Sequence, residues 1–140
     1  MAIFKTDEEL YRCIGGMMLE ARTDGQMGPK IKASGLVIRF VYSDPESQIT
    51  IDASNPEEGC YFNVFFGPND LNPKVLMTMS ADIAHKFWLG KVNLTAALTR
   101  GQMKAKGPIQ EILKLLPAIK PAYTLYPEYL RKLGLPHLVD

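Results

Sequence analysis

The chain has 140 residues, enough for one domain with a core of its own. Its 16 Lys and Arg nearly balance its 15 Asp and Glu, which argues against a nucleic-acid binder that relies on counterion release. No apolar run approaches the ~18 residues of a membrane span, and no secretory n-region and h-region open the chain. Cys13 and Cys60 are therefore expected to be reduced thiols, in a soluble cytoplasmic protein with no repeats and no low-complexity tract.

In chain order, the first expected element is a helix. Thr6 and Glu9 have capping-box spacing, and Asp7 and Glu8 suit the positive end of a helix dipole. Leu10, Cys13, Ile14, Met17, Met18 and Ala21 follow at helical spacing. Gly15-Gly16 weakens the middle of that helix by roughly 1 kcal/mol per glycine relative to Ala, a cost that close packing would explain. The stretch RTDGQMGP, 22–29, reads as turn.

The period then changes to two. Leu36, Ile38, Phe40 and Tyr42 share one face, and Ile49, Ile51 and Ala53 share another after a turn at Ser43-Asp44-Pro45. This is a hairpin with one dry face and one wet face. CYFNVFF, 60–66, extends the meander with Phe62, Val64 and Phe66 on one side, and KVLMTMS, 74–80, reads as a fourth strand. Ser80 caps a helix carrying Ile83, Ala84, Phe87 and Trp88, stopped by Gly90. Asn93 caps a short second helix, and GQMKAKG, 101–107, is the fifth strand. Pro108 opens another helix, with Ile109, Ile112, Leu113 and Leu116 on one stripe. Pro117, Pro121 and Pro127 break up an extension from about residue 117, leaving a short last helix from Pro127 to Gly134. The fold expected is α+β: one domain over residues 1–140, with a five-stranded, mostly antiparallel sheet covered by helices on one side.

The fifth strand poses a packing question. Gly101, Met103, Ala105 and Gly107 fall on its dry face, opposite Gln102, Lys104 and Lys106. Four such small or flexible residues do not fill a layer between sheet and helices, and protein interiors do not keep large voids. Either a helix presses close there, or the space belongs to a ligand. Phe87, Trp88, Leu98, Ile109, Ile112, Leu113 and Leu116, on the flanking helices, are the apolar supply for either outcome. Met17, Met18, Met77, Met79 and Met103 add adaptable side chains of the kind promiscuous apolar sites use. The Tyr-rich tail, with Tyr123, Tyr126 and Tyr129, is a candidate lid.

These residues also carry a resemblance. Gly90-Lys91-Val92-Asn93, then Ala97, then Gly101-Gln102-Met103-Lys104-Ala105-Lys106-Gly107 resembles the sterol carrier protein-2 family, whose pattern reads roughly G-K-x-N-P, an Ala, then G-K-L-K-I-x-G. Thr78-Met79 fits the end of that family's T-x-T-M strand. Leu94 stands where the family often has Pro, Gln102 where Lys is common, and Ala105 where Ile is common. The resemblance implies an apolar tunnel between sheet and helices, a lipid or acyl-chain ligand (fatty acid, fatty acyl-CoA, sterol or phospholipid) and no catalytic residues. The ligand-binding residues it points to are Phe87, Trp88, Leu98, Met103, Ala105, Ile109, Ile112, Leu113 and Leu116. The chain ends PHLVD rather than in a peroxisomal tripeptide, consistent with the cytoplasmic expectation.

No competing chemistry is visible. His85 and His137 have no partner at metal-ligand spacing, and no G-x-S-x-G elbow, Walker loop or Rossmann fingerprint occurs. No cofactor is expected. Lys86, Lys91, Arg100, Lys104 and Lys106 crowd the family-like region, where they suit phospholipid headgroups, a CoA phosphate or plain solvent. The expected function is non-enzymatic lipid binding or transfer, with weak membrane-surface contact. The alternative is an accessory subunit that presents a lipid-like substrate, such as an isoprenoid quinone precursor, to a partner enzyme. A homodimer is compatible with either reading.

Overall fold

The computed structural model describes residues 2–139. The N-terminal helix starts where its signature places it: Thr6 Oγ1 accepts the Glu9 N–H at 3.2 Å, and the Glu9 carboxylate reaches back to the Lys5 N–H at 3.3 Å. It runs as α1 (Asp7–Leu10), a π-helical turn (Tyr11–Gly15) and α2 (Gly16–Ala21) without a break. Its two glycines are there for close approach. A Cβ on Gly15 would stand 2.6 Å from the Phe66 ring, and one on Gly16 would overlap the Tyr129 ring.

The stretch expected to be turn is turn over residues 22–27, but its last two residues already open a helix that the sequence did not announce. Asp24 Oδ1 accepts the N–H groups of Gln26 (2.7 Å) and Met27 (3.0 Å), and α3 (Gly28–Ser34) follows with Pro29 in its first turn. Gly35 ends it in the left-handed conformation, at φ +62°. With Met27 and Ile31 as its only buried large side chains, this helix is too short to show a period.

The strands are β1 (Val37–Ser43), β2 (Ser47–Asp52), β3 (Asn63–Phe66), β4 (Val75–Ser80) and β5 (Met103–Lys106), in sheet order β3-β2-β1-β4-β5. β1 pairs β4 in parallel, and every other pair is antiparallel. The chain therefore has to cross from one edge strand, β3, past β2 and β1 to reach β4. It does so on the wet face, where Arg39 pins it: the guanidinium donates to Asn69 Oδ1 at 2.6 Å, to the Leu71 carbonyl at 2.7 Å and to Thr50 Oγ1 at 3.2 Å. Asn69 in turn donates to Thr50 Oγ1 at 3.0 Å. The other face buries Ile38, Tyr42, Ile49, Ile51, Met77, Met79 and Met103 under the helices.

Helices α4 (Ala81–Trp88) and α5 (Leu94–Arg100) carry the chain from β4 to β5. Ser80 Oγ accepts the Ile83 N–H at 3.2 Å and Asn93 Oδ1 accepts the Ala96 N–H at 2.9 Å, so both caps form as the sequence implies. The last part of the chain corrects the reading of a broken tail. α6 (Ile109–Ile119) continues through Pro117, and α7 (Ala122–Lys132) continues through Pro127. A proline inside a helix costs ~3 kcal/mol. Here burial of Leu115 and Ala118 around the first proline, and of Tyr126 and Leu130 around the second, offsets that loss.

The fifth strand is also shorter than its glycine-bounded motif. Gly101 is the left-handed cap of α5 at φ +76°, and Gly107 has φ +113° with its Cα against the Lys74 carbonyl. Both glycines answer to the backbone, so only Met103 and Ala105 belong to the dry face of β5.

His85, which has no partner at metal-ligand spacing in the sequence, is 2% exposed. Its Nε2 lies 2.7 Å from the Leu138 carbonyl, which only accepts, so Nε2 carries the proton. Nδ1 then accepts from the Tyr126 hydroxyl at 2.7 Å. The imidazole thus joins α4, α7 and the 3₁₀ turn Pro136–Leu138. Cys13 and Cys60 are free thiols, and burial pushes Cys13 up to about 11.

Two predictions follow from these contacts. Gly107→Ala should lower stability by at least ~2 kcal/mol, because its Cβ meets backbone as well as adopting a forbidden φ, whereas Gly101→Ala, with open space around it, should lose only ~1 kcal/mol; urea midpoints at constant m distinguish them. Burial lowers the pKa of His85 in the folded chain, so its contribution to stability is complete above ~6.5, the unfolded value, and is lost as pH falls below it. The wild type should therefore lose more stability than His85→Gln between pH 7.5 and 5.5, with the variant the weaker of the two at pH 7.5.

Candidate functional site

Between the dry face of the sheet and the helices lies a cavity of about 70 Å³. Its floor comes from the inward-pointing positions of the sheet: Ile38 and Phe40 on β1, Ile51 on β2, Met77 and Met79 on β4, and Met103 on β5. Their side chains meet there because β1 and β4 run in register, with Ile38 opposite Val75 and Phe40 opposite Met77, while Met79 pairs with Met103 across the antiparallel β4–β5 ladder. Met17, Met18 and Ala21 of α2 form one wall, with Met27 and Ile31 from the α3 region beside them. Phe87 and Trp88 of α4, ring centroids 5.0 Å apart in an edge-to-face contact, form the other wall with Leu94. The roof is α6, which contributes Ile112, Leu115, Leu116 and Ile119.

Every side chain lining this space is apolar, and none is a nucleophile, an acid or a base. Six of the lining residues are methionines, which is every methionine of the chain except Met1. Methionine has three rotatable bonds and a polarizable sulfur, so it repacks at low cost. The volume is that of a few water molecules, far below the ~300–1,000 Å³ typical of ligand clefts. The site is contracted as it stands, and a long chain fits only if its walls move apart.

The sequence-derived site residues divide in two. Phe87, Trp88, Met103, Ile112 and Leu116 converge on the cavity. Leu98 and Ala105 are half-buried against the core beside it, outside the lining. Ile109 and Leu113, 38% and 36% exposed, lie on the outer face of α6. At ~100° of rotation per residue, the apolar stripe of that helix is wider than the contact it makes. The tail is not the lid: α7 packs on α2 and α4, Tyr126 and Leu130 are fully buried there, and no residue of α7 lines the cavity. Ile38 and Phe40 were readable as a dry face but not as cavity wall rather than plain core, whereas Met77 and Met79 stood out as adaptable side chains of an apolar site. Met27 and Ile31 had no signal, since α3 has none. The buried His85–Tyr126 pair lies outside the lining.

The arrangement has counterparts among solved structures. A sterol carrier protein 2 from Yarrowia lipolytica in its apo form superimposes with a TM-score of 0.62 at 19% identity, over 79% of this chain and 89% of that one. Sterol carrier protein domain 2 of Helicoverpa armigera gives 0.61 at 19% identity, over 81% and 89%. A ubiquinone synthesis protein, UbiJ-SCP2, gives 0.55 at 15% identity, over 81% and 89%. At these identities the likeness is one of fold. No curated protein sequence matches the chain. The family model of the SCP-2 sterol transfer family, however, matches residues 18–120, from the first cavity-lining helix through the roof helix, and the chain belongs to that family.

Proposed function

We propose that this protein is a lipid carrier that holds a single hydrocarbon chain between sheet and helices, with the polar head of its ligand left at the cavity mouth. The observation that carries the reading is the wholly apolar, methionine-lined cavity beneath α6. A head group drawn inside would meet at most the Trp88 indole N–H among the lining side chains, and each polar group left without a partner costs roughly 2–7 kcal/mol. Each methylene buried contributes ~0.8 kcal/mol, so fifteen or so give micromolar binding or better after the costs of association. Fatty acids and fatty acyl-CoAs meet this pattern directly, because their polar parts sit at one end. A sterol is not implied by the family's name.

The cavity of about 70 Å³ leaves the fold without a large void. Entry then requires rotamer changes among Met17, Met18, Met27, Met77, Met79 and Met103 and an outward shift of α6. The groups proposed to touch the chain are Phe87, Trp88, Met103, Ile112 and Leu116, with the methionines around them. Leu98, Ala105, Ile109 and Leu113 belong to the expanded site only if that shift brings them inward. Binding, rather than turnover, is the activity proposed.

A second reading has the protein present a lipid-like substrate to a partner enzyme. The fold likeness to the ubiquinone synthesis protein favours it. Native mass spectrometry of the purified protein separates the two: mixed fatty acids or phospholipids support general carriage, and one isoprenoid with a stoichiometric partner supports presentation. A clean apo mass that persists after incubation with fatty acid and acyl-CoA overturns both.

Trp88 is the only tryptophan and it lines the cavity, so its fluorescence should be quenched at saturating micromolar concentrations of a brominated fatty acid. Ala21→Leu, which adds three carbons inside a space of about 70 Å³, should weaken that binding at least tenfold while the far-ultraviolet circular dichroism is retained. Leu116→Arg, at a half-buried roof position, should do the same with less strain on the core. Unchanged affinity in both folded variants would place the ligand elsewhere.

A further inference from the structure

Charge nearly cancels over the whole chain, yet it is divided along it. Residues 40–73 hold six carboxylates and no lysine or arginine, whereas residues 74–120 hold eight lysines and arginines against two carboxylates. Strand order sends the two stretches to opposite edges of the sheet: β2 and β3 belong to the first, β4 and β5 to the second. The two edge strands differ accordingly. β5 carries exposed Lys104 and Lys106, the kind of side chain that discourages a further strand from pairing. β3, Asn-Val-Phe-Phe, has neither a charge nor a proline, and its Phe65 and Phe66 are 38% and 41% exposed.

The outer backbone edge of β3 is open. The Gly67 N–H donates to the Gln48 carbonyl at 2.8 Å. Bonded positions alternate along an antiparallel ladder, so Phe65 and Asn63 turn their backbone groups toward Thr50 and Asp52 of β2. The N–H and C=O of Val64 and Phe66 therefore point away from the sheet, and no other element bonds them among the described residues. Carboxylates stand at both ends of this edge. The Glu57 N–H donates to Asn63 Oδ1 at 2.9 Å, which sets Glu57 and Glu58 at the start of the strand. At its other end Tyr11 stacks on Phe66, ring centroids 5.0 Å apart, and shares a recess with Asp7, Glu46 and Pro68. These four carboxylates are exposed, and none has an ion pair among the described residues. Arg39 reaches Thr50 beside Phe65, but it is half-buried and held under the crossover by Asn69 and Leu71.

We propose that the outer edge of β3 is the docking site for an extended segment of a partner protein, a short apolar run flanked on both sides by lysine or arginine. The segment adds a strand to the sheet by bonding the free backbone groups of Val64 and Phe66. An added strand meets both faces of the sheet, so its apolar side chains cover Phe65 on one face and Phe66 on the other. Its flanking cations reach Glu57 and Glu58 at one end and Asp7 and Glu46 at the other. The same charges select against a second copy of this chain: antiparallel pairing of two β3 edges would set Glu57 and Glu58 of each against Asp7 and Glu46 of the other. No residue of β3 lines the cavity, so docking leaves the cavity free and is independent of what the cavity holds.

The test is panning of the full chain against a phage-displayed library of random dodecapeptides, followed by titration of the selected peptides by fluorescence anisotropy. The selected sequences are expected to hold an apolar run between basic residues and to bind less tightly as salt rises. Exchanging their basic residues for glutamate should weaken binding at least tenfold, and so should N-methylation of alternate peptide amides. Phe65→Lys puts on β3 the kind of charge that β5 already carries, and Val64→Pro removes an outward N–H without removing a bond to β2. Each should weaken binding at least tenfold while the far-ultraviolet circular dichroism is retained, with Phe65→Lys the milder change to the fold. Selection of acidic sequences, peptides that bind Phe65→Lys as well as the wild type, a library that yields no binder, or a dimer of the free chain that Phe65→Lys dissociates would each overturn the proposal.

Discussion

The layer between the sheet and its helices is both what holds this molecule together and the place where it is left incompletely filled. On one side the sheet offers Ile38, Ile51, Met77 and Met103; on the other stand α2, α4 and α6, with nothing polar between them. Burial there supplies most of the folding free energy, at roughly 25 cal/mol per Å². The same chemistry leaves a small cavity with little to hold water, because its lining side chains offer at most the Trp88 indole N–H as a hydrogen-bond donor. Filling the layer with rigid side chains would give a more stable protein without a site. Placing six methionines in its lining keeps most of the contact while leaving it able to repack.

Other features of the fold serve to keep that layer in place. The parallel pairing of β1 with β4 is possible only because the chain crosses behind the sheet, and Arg39 with Asn69 and Thr50 secures the crossing on the face away from the helices. Packing beside that layer is tight. Gly15 and Gly16 let α2 approach Phe66 and Tyr129, and the buried His85–Tyr126 pair fixes α7 and the tail to α4. α6 is different. It reaches the rest of the protein chiefly through the cavity it covers and through α3.

Much of this was readable from residue order, where a single local signal had a single local meaning. The alternation in β1 and β2, the caps at Thr6, Ser80 and Asn93, and the glycine-bounded motif around β5 all depend on contacts within a few residues. α3 was not readable, because seven residues with one inward side chain per turn show no period. The two internal prolines were misleading for a related reason. Their cost is local, whereas the burial that offsets it comes from α2, α4 and the sheet. Trp88 and Met103 were recognisable as site candidates because bulky and thin positions stood close together in sequence. Ile109 and Leu113, on the same stripe as Ile112 and Leu116, were indistinguishable from them.

The sequence by itself determined the strands, most of the helix starts and the family, because propensity, capping and backbone need for glycine act over short range. It also determined that the layer between sheet and helices would be apolar and rich in methionine. Only the tertiary structure decided which apolar residues line a cavity and which face solvent, because a helix stripe is wider than the contact it makes. It likewise decided that the acidic and basic stretches of a nearly neutral chain lie at opposite edges, since that depends on strand order and on the crossover that sets it.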